Sequence, residues 1–230
     1  LKNDSGRPLP STKVVTGAVL YESHTVVCGK DGKAVLLFSN GSTATLKSDT
    51  KLNLRRFRQD TFIATNEKLA DLKMEPSVSE THIDLNFGNL VINVKKLDRA
   101  SSFEIHSPIG TVGIRGTRVE LKVRVGIRGE FSGRITVPEG MATLTPLGFS
   151  DRPVAAPRLI PAGNSLELTL NTEGKATTNI VQTTARPTDL TGINAELDHV
   201  AEKTDHVRIS QIVAAINAVA KTVPAIRVKQ

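Results

Sequence analysis

The sequence predicts a mainly β fold, a twisted two-sheet sandwich or solenoid-like antiparallel β-domain, followed by a C-terminal amphipathic helical segment. Three observations carry that expectation. Short apolar alternations of period two recur from residue 14 to about residue 170, punctuated by Gly, Asn-Gly and Pro turn chemistry. Only eight residues are aromatic and none is Trp, so the core rests on Val, Ile and Leu, a bias toward strands. From residue 188 the apolar period lengthens to about three and a half, as on one face of a helix.

Composition narrows the functional classes. With 230 residues, a folded chain of this length buries roughly 70% of its unfolded surface and needs neither disulfide nor metal to make a core. A hydrophobic share of 39% excludes collagen, coiled-coil arrays and disordered tails. The 30 Lys and Arg outnumber the 23 Asp and Glu by seven, yet they are spread along the chain without stacking aromatics, which argues against a nucleic-acid partner. Cys28, the single cysteine, follows Val26 and Val27 and reads as a small buried hydrophobe. No apolar run approaches the roughly 18 residues needed to span a bilayer. The sequence opens at Leu1 rather than an initiator Met, as it would after a cleaved secretory signal or where an upstream stretch is left off.

The elements follow in order. Residues 1–13, with two prolines, form an extended lead-in, and residues 14–20 a first strand. Alternation resumes at residue 25. Asn40-Gly41 between apolar runs predicts a type I′ hairpin turn, a stronger reading than the glycosylation sequon Asn40-Gly41-Ser42. Arg55, Arg56 and Arg58 surround Phe57 and read as a solvated strand edge rather than an anion clamp. Residues 67–74 are helix-compatible, Ile83 with Leu85 marks one strand and residues 90–94 another. Residues 103–106, 119–125, 133–137, 141–144 and 165–170 complete the strands, with Val119, Leu121, Val123 and Val125 facing the core and Glu120, Lys122 and Arg124 facing water. Four prolines make residues 146–161 a loop or edge excursion. Thr-rich residues 173–187 read as a linker. In residues 188–230, Ile193, Leu197, Val200, Val207, Ile212 and Ile216 line one face of a long helix, or of two helices broken around residues 205–210 with Ser210 as second N-cap. Thr188 or Asp189 would cap the start. That stripe either docks on the chain's own β body or serves as an interaction helix.

The sequence offers no catalytic constellation. Gly110, Gly113 and Gly116 lack the Gly-Lys-Ser/Thr ending of a Walker loop and the spacing of a dinucleotide fingerprint. His82-Ile83-Asp84 places two potential ligands on one strand face and His199 with His206 sit seven apart, but no third ligand declares itself, so no metal and no cofactor is expected. No nucleophile-elbow sequence occurs.

The segment from Phe103 to Val123, with Ser107-Pro108 through Thr117 at its centre, resembles the FecR-like domain family, whose hallmark is a strand, a "TP-x-G-x-x-G-x-RGT" turn and a second strand. Four more pieces agree in order: residues 33–46 resemble the family's Gly-Ser hairpin with Asn40 in place of its acidic residue, 85–94 a strand pair, 136–143 a Glu-Gly hairpin and 160–168 the closing hairpin. The resemblance spans residues 14–172 and assigns Pro108, Gly110, Gly113, Arg115, Gly116 and Thr117 to the family motif. In physical terms these residues read as structural, with glycines for turns or close approach and the Arg115 fork satisfying carbonyls. Family members are extracytoplasmic β-domains in signalling proteins that relay a receptor's state to a sigma factor, behind a cytoplasmic segment and a membrane helix. The sequence shows neither of those two parts. The resemblance therefore implies a non-enzymatic module, periplasmic, secreted or at the cell surface, that binds a protein partner. A subunit that self-assembles into an envelope layer or filament is the alternative.

Overall fold

Fifteen residues, Ser79–Asn93, form the longest strand, β5, and the rest of the sheet is arranged around it. The structure is a computed structural model and describes residues 15–147, 153, 155–171 and 180–220. Up to Phe87, β5 carries its inward residues at odd positions, Ser79, Thr81, Ile83 and Leu85. Beyond Gly88 the core positions are even, Leu90 and Ile92. This change of phase lets one strand feed the same core from both of its halves. It happens at Gly88, where φ is +111° and an added Cβ would lie 2.4 Å from Thr50 Cα. The sequence pattern read this element as two strands because the period breaks here.

The partners change with the phase. The first half of β5 pairs antiparallel with β4 (Thr50–Gln59) and parallel with β6 (Ser102–Ser107). The second half pairs antiparallel with β3 (Thr43–Leu46) and β8 (Arg118–Val125). On the first side β1 (Thr25–Cys28) joins β4, while β7 (Gly110–Ile114), β10 (Met141–Pro146) and β11 (Arg158–Pro161) continue from β6. On the second, β2 (Ala34–Leu37) joins β3, while β9 (Phe131–Glu139), β12 (Asn164–Leu170) and β13 (Val181–Thr184) continue from β8. The thirteen strands make one continuous, mostly antiparallel network bent at β5 into a near-barrel. A single cluster of Val, Ile and Leu with Phe38 and Phe103 fills it.

Two helices follow, α1 (Pro187–Lys203) and α2 (Ile209–Ala220), so the second of the two helical readings holds. Pro187 opens α1 at a position that needs no backbone N–H. Arg186, not Thr188 or Asp189, is its N-cap, and no side chain caps it. Between the helices Thr204 turns its hydroxyl back to the Val200 carbonyl at 2.8 Å. Gln211 Oε1 accepts the Arg208 N–H at 2.9 Å, a side-chain cap for α2 in place of the expected Ser210.

Several local expectations are corrected. Residues 15–20 form a turn and irregular chain rather than a strand. Residues 67–74 are not helical, because their backbone bonds go to the tail: Leu69 N–H to the Val207 carbonyl and Ile209 N–H to the Glu67 carbonyl. The Asn40-Gly41 hairpin exists, but of the two only Gly41 has positive φ. The bonds Gly41 N–H to Phe38 C=O and Phe38 N–H to Ser42 C=O define a three-residue loop with a bulge rather than type I′. Asn40 is fully buried, its amide held by Ser79 and Thr81, which removes it as a glycosylation acceptor in the folded chain. Within the expected linker, residues 173–179 lie outside the described residues and Val181–Thr184 is strand β13.

Candidate functional site

The family-motif residues form the hairpin β6–β7 and the corner from β7 into β8. Pro108 and Ile109 make the two-residue turn between Ser107 and Gly110, and the Ser107 hydroxyl donates to the Gly110 carbonyl at 2.9 Å. Gly110 has φ +137°, and a Cβ there would lie 2.3 Å from the Thr145 carbonyl oxygen, so β10 crosses too close for any side chain. Gly113 is an ordinary strand residue where an added Cβ would meet only the Thr143 carbonyl oxygen, at 4.0 Å, and Gly116 turns the chain above Lys96. Thr117 is buried, bonded to the Met141 carbonyl (2.7 Å) and N–H (3.2 Å), and exchanges both backbone bonds with Val94. Arg115 is exposed and donates to the Asp98 carbonyl, closing the corner onto the loop before β6.

The apolar residues of α1 pack on the chain's own sheet. Ile193 and Leu197 close over Val91, which points out of β5 on the side away from the main core. Val200 is buried beside them in sequence. Ion pairs from Lys33 to Glu196, Arg118 to Asp198 and Arg134 to Asp189 tie α1 to the sheet. Glu120, expected to face water, is 3% exposed and accepts from Asn89, Lys47 and Lys122. On α2, Ile212 packs with Val213 around Leu69, Leu72 and Ile209, while Val207 and Ile216 are half-buried. Ile209, 1% exposed, is the anchor that the sequence reading did not name.

A third group lies on the polar face where β4, β5, β6 and β7 meet. Alternate residues of β5 and β6 share that face, and the parallel register sets His82 beside Glu104 and Asp84 beside His106. His106 Nε2 lies 3.3 Å and His82 Nε2 4.0 Å from Glu104 Oε2, and the imidazole centroids are 5.6 Å apart. His106 Nδ1 is 3.0 Å from the Thr111 hydroxyl. Arg55 pairs with Asp84 at 2.9 Å and Arg56 with Glu80 at 2.8 Å. The Arg56 hydrogen bond holds the Glu80 carboxyl below its usual range. Burial, with Arg55 adding to it, lowers the affinity of His106 for a proton. Among the described residues this is the one group of three His, Cys, Asp or Glu side chains close enough to hold a metal ion. The sequence reading saw His82 and Asp84 but missed Glu104 and His106. Their signal, Glu104-Ile105-His106, is a second i, i+2 pair on another strand, and only the non-local register of β5 with β6 unites the two.

Comparison with known proteins fits the fold. Two crystal structures from Parabacteroides distasonis ATCC 8503, both provisionally named anti-sigma factors, share it. One aligns at TM-score 0.50 and 11% identity over 73% of this chain, which spans 63% of that protein's length. The other aligns at TM-score 0.51 and 10% identity, covering 90% of this chain and 94% of that one. No curated protein matches the sequence. The family model described as FecR protein matches residues 24–142, taking in the hairpin at 33–46, the whole of β5 and the motif from Pro108 to Thr117, and stopping before residues 160–168. Over more than half its length, therefore, the sequence carries the pattern of the FecR family, and the chain belongs to that family.

Proposed function

We propose that this chain is a non-enzymatic, extracytoplasmic module that works by binding another protein, and that the contact is strand addition on the edge of β13 rather than docking of the helical pair. FecR-type domains are non-catalytic, and no helix among the described residues is long and apolar enough to cross a membrane. The observation that carries the choice of surface is β13 itself. All four of its residues, Val181 to Thr184, are exposed and, among the described residues, pair on one side only, with β12. The edge carries none of the charges or prolines that discourage pairing. By contrast, the β11 edge holds Arg158 and Pro161, and β2 is flanked by Lys33 bonded to Glu196. The apolar stripe of α1 is occupied by Val91. The two halves of the sheet, sharing one core, act as the sandwich that holds this edge rigid.

The phase of β13 makes the proposal testable. The Ala185 N–H bonds to the Gly163 carbonyl, so counting back by twos turns the N–H groups of Val181 and Thr183 toward β12 and those of Gln182 and Thr184 outward. Gln182→Pro removes an outward donor and leaves the β12 ladder intact. The full chain and Gln182→Pro would be compared as cross-linked baits in an envelope extract. Loss of a specific partner with unchanged melting supports the edge, and equal capture by both rejects it. An uncharged edge also pairs with its own copy, the self-assembly alternative. Light scattering that rises with concentration, for the wild type and not for Gln182→Pro, would make the chain its own partner.

A further inference from the structure

We propose that His82, Glu104 and His106 form a zinc-binding site with three protein ligands and a fourth position open to solvent. The three side chains offer two imidazole nitrogens and one carboxylate oxygen, all within 4.8 Å of one another. A tetrahedral zinc with ligand bonds of about 2.0–2.1 Å sets neighbouring donors about 3.3 Å apart. Glu104 Oε2 and His106 Nε2 already stand at 3.3 Å, and His82 Nε2, at 4.0 Å from the same oxygen, closes the remainder by a small rotation. Two imidazoles favour zinc over the hard cations calcium and magnesium, which select oxygen ligands.

Three further features fit a site rather than a chance cluster. His106 Nε2 is buried and has no hydrogen-bond partner, while its Nδ1 meets the Thr111 hydroxyl at 3.0 Å. A proton on Nδ1 donated to Thr111 leaves the Nε2 lone pair aimed at the other two ligands, the arrangement that orients metal-bound histidines. The adjoining cations are already matched, Arg55 by Asp84 and Arg56 by Glu80; Glu80 Oε1 also lies 3.5 Å from His82 Nε2, and Glu104, which pairs with no Arg or Lys among the described residues, is the carboxylate that faces both imidazoles. Side-chain exposures of 21% for His82, 22% for His106 and 40% for Glu104 leave the metal an approach from one side and room for a fourth ligand, water or a group from a partner. An ion here would clamp β5 to β6 at the parallel strand pair.

The test is isothermal titration of zinc chloride into the tag-free, metal-stripped full chain, alongside Glu104→Gln, His82→Gln and Thr111→Val. The expected result is one zinc per chain. Glu104→Gln and His82→Gln should each lower the affinity at least about a hundredfold, and Thr111→Val, which touches no metal, about ten- to a hundredfold. Zinc at a hundredfold excess over Kd should raise the melting temperature of the wild type by roughly 5–10 °C. The same zinc should leave Glu104→Gln unmoved, with metal-free melting equal in the two proteins. Absence of binding up to millimolar zinc overturns the proposal, and so does binding that all three substitutions leave unchanged.

Discussion

A single methyl group added at Gly110 would meet the Thr145 carbonyl at 2.3 Å and the Pro146 Cα at 2.9 Å, with φ at +137° adding strain. Gly110→Ala should therefore cost about 3 kcal/mol or more, read as a lower urea midpoint. Gly113, where a Cβ would make only an ordinary 4.0 Å contact with the Thr143 carbonyl oxygen, should accept Ala at far smaller cost. Thr117→Val should cost about 2 kcal/mol, because it removes a buried hydroxyl that bonds both the Met141 N–H and its carbonyl. Arg115→Ala, at an exposed bond to one carbonyl, should cost only about 1 kcal/mol. The family motif thus divides into positions of very different weight, and the sequence could not rank them, since the crowding at Gly110 comes from a strand more than thirty residues away. Cys28 was legible from its apolar neighbours: it is buried, and burial raises its thiol pKa. A group that ionises less readily folded than unfolded stabilises fully below its unfolded pKa, so stability should decline as pH rises past about 8.5. Thiol labelling at neutral pH should proceed no faster than unfolding.

At the scale of elements, legibility followed length and period. The first helix declared itself through Ile193, Leu197 and Val200 at helical spacing, and these are the buried residues of α1. Strands β11 and β13, four residues each, leave too little alternation to read, and β13 hides in a polar Thr-rich run. Strand β5 was split because its phase turns over at Gly88, a change the pattern cannot tell from two elements. What the helix covers was also invisible: Val91 lies between core positions 90 and 92 and is fully buried only because α1 lies upon it. Ile193→Asp should place a charge against Val91 and detach α1. Far-ultraviolet circular dichroism should then show a loss of helix while the strand signal persists, with overall stability lowered by about 2–4 kcal/mol.

For the whole molecule the decisive feature is the path of β5, which runs through both halves of the sheet and returns the chain to pair parallel with its own beginning. That return aligns His82 with Glu104 across twenty-two residues and creates the proposed zinc ligands, which neither strand's sequence announces alone. It also leaves the network with open ends, of which β13 is the one exposed at all four residues, while α1 packs on the chain's own sheet. On the proposed reading this FecR-family module keeps α1 for its own fold and offers its β13 edge outward. Hydrogen exchange read residue by residue, on the free chain and on its complex, tests it most directly. Amides of residues 193–200 should be protected in the free chain to nearly the level of Leu90 and Leu121, and complex formation should add protection at Gln182 and Thr184. Fast exchange along α1 in the free chain, with new protection on the helices and none at β13 on binding, would contradict it.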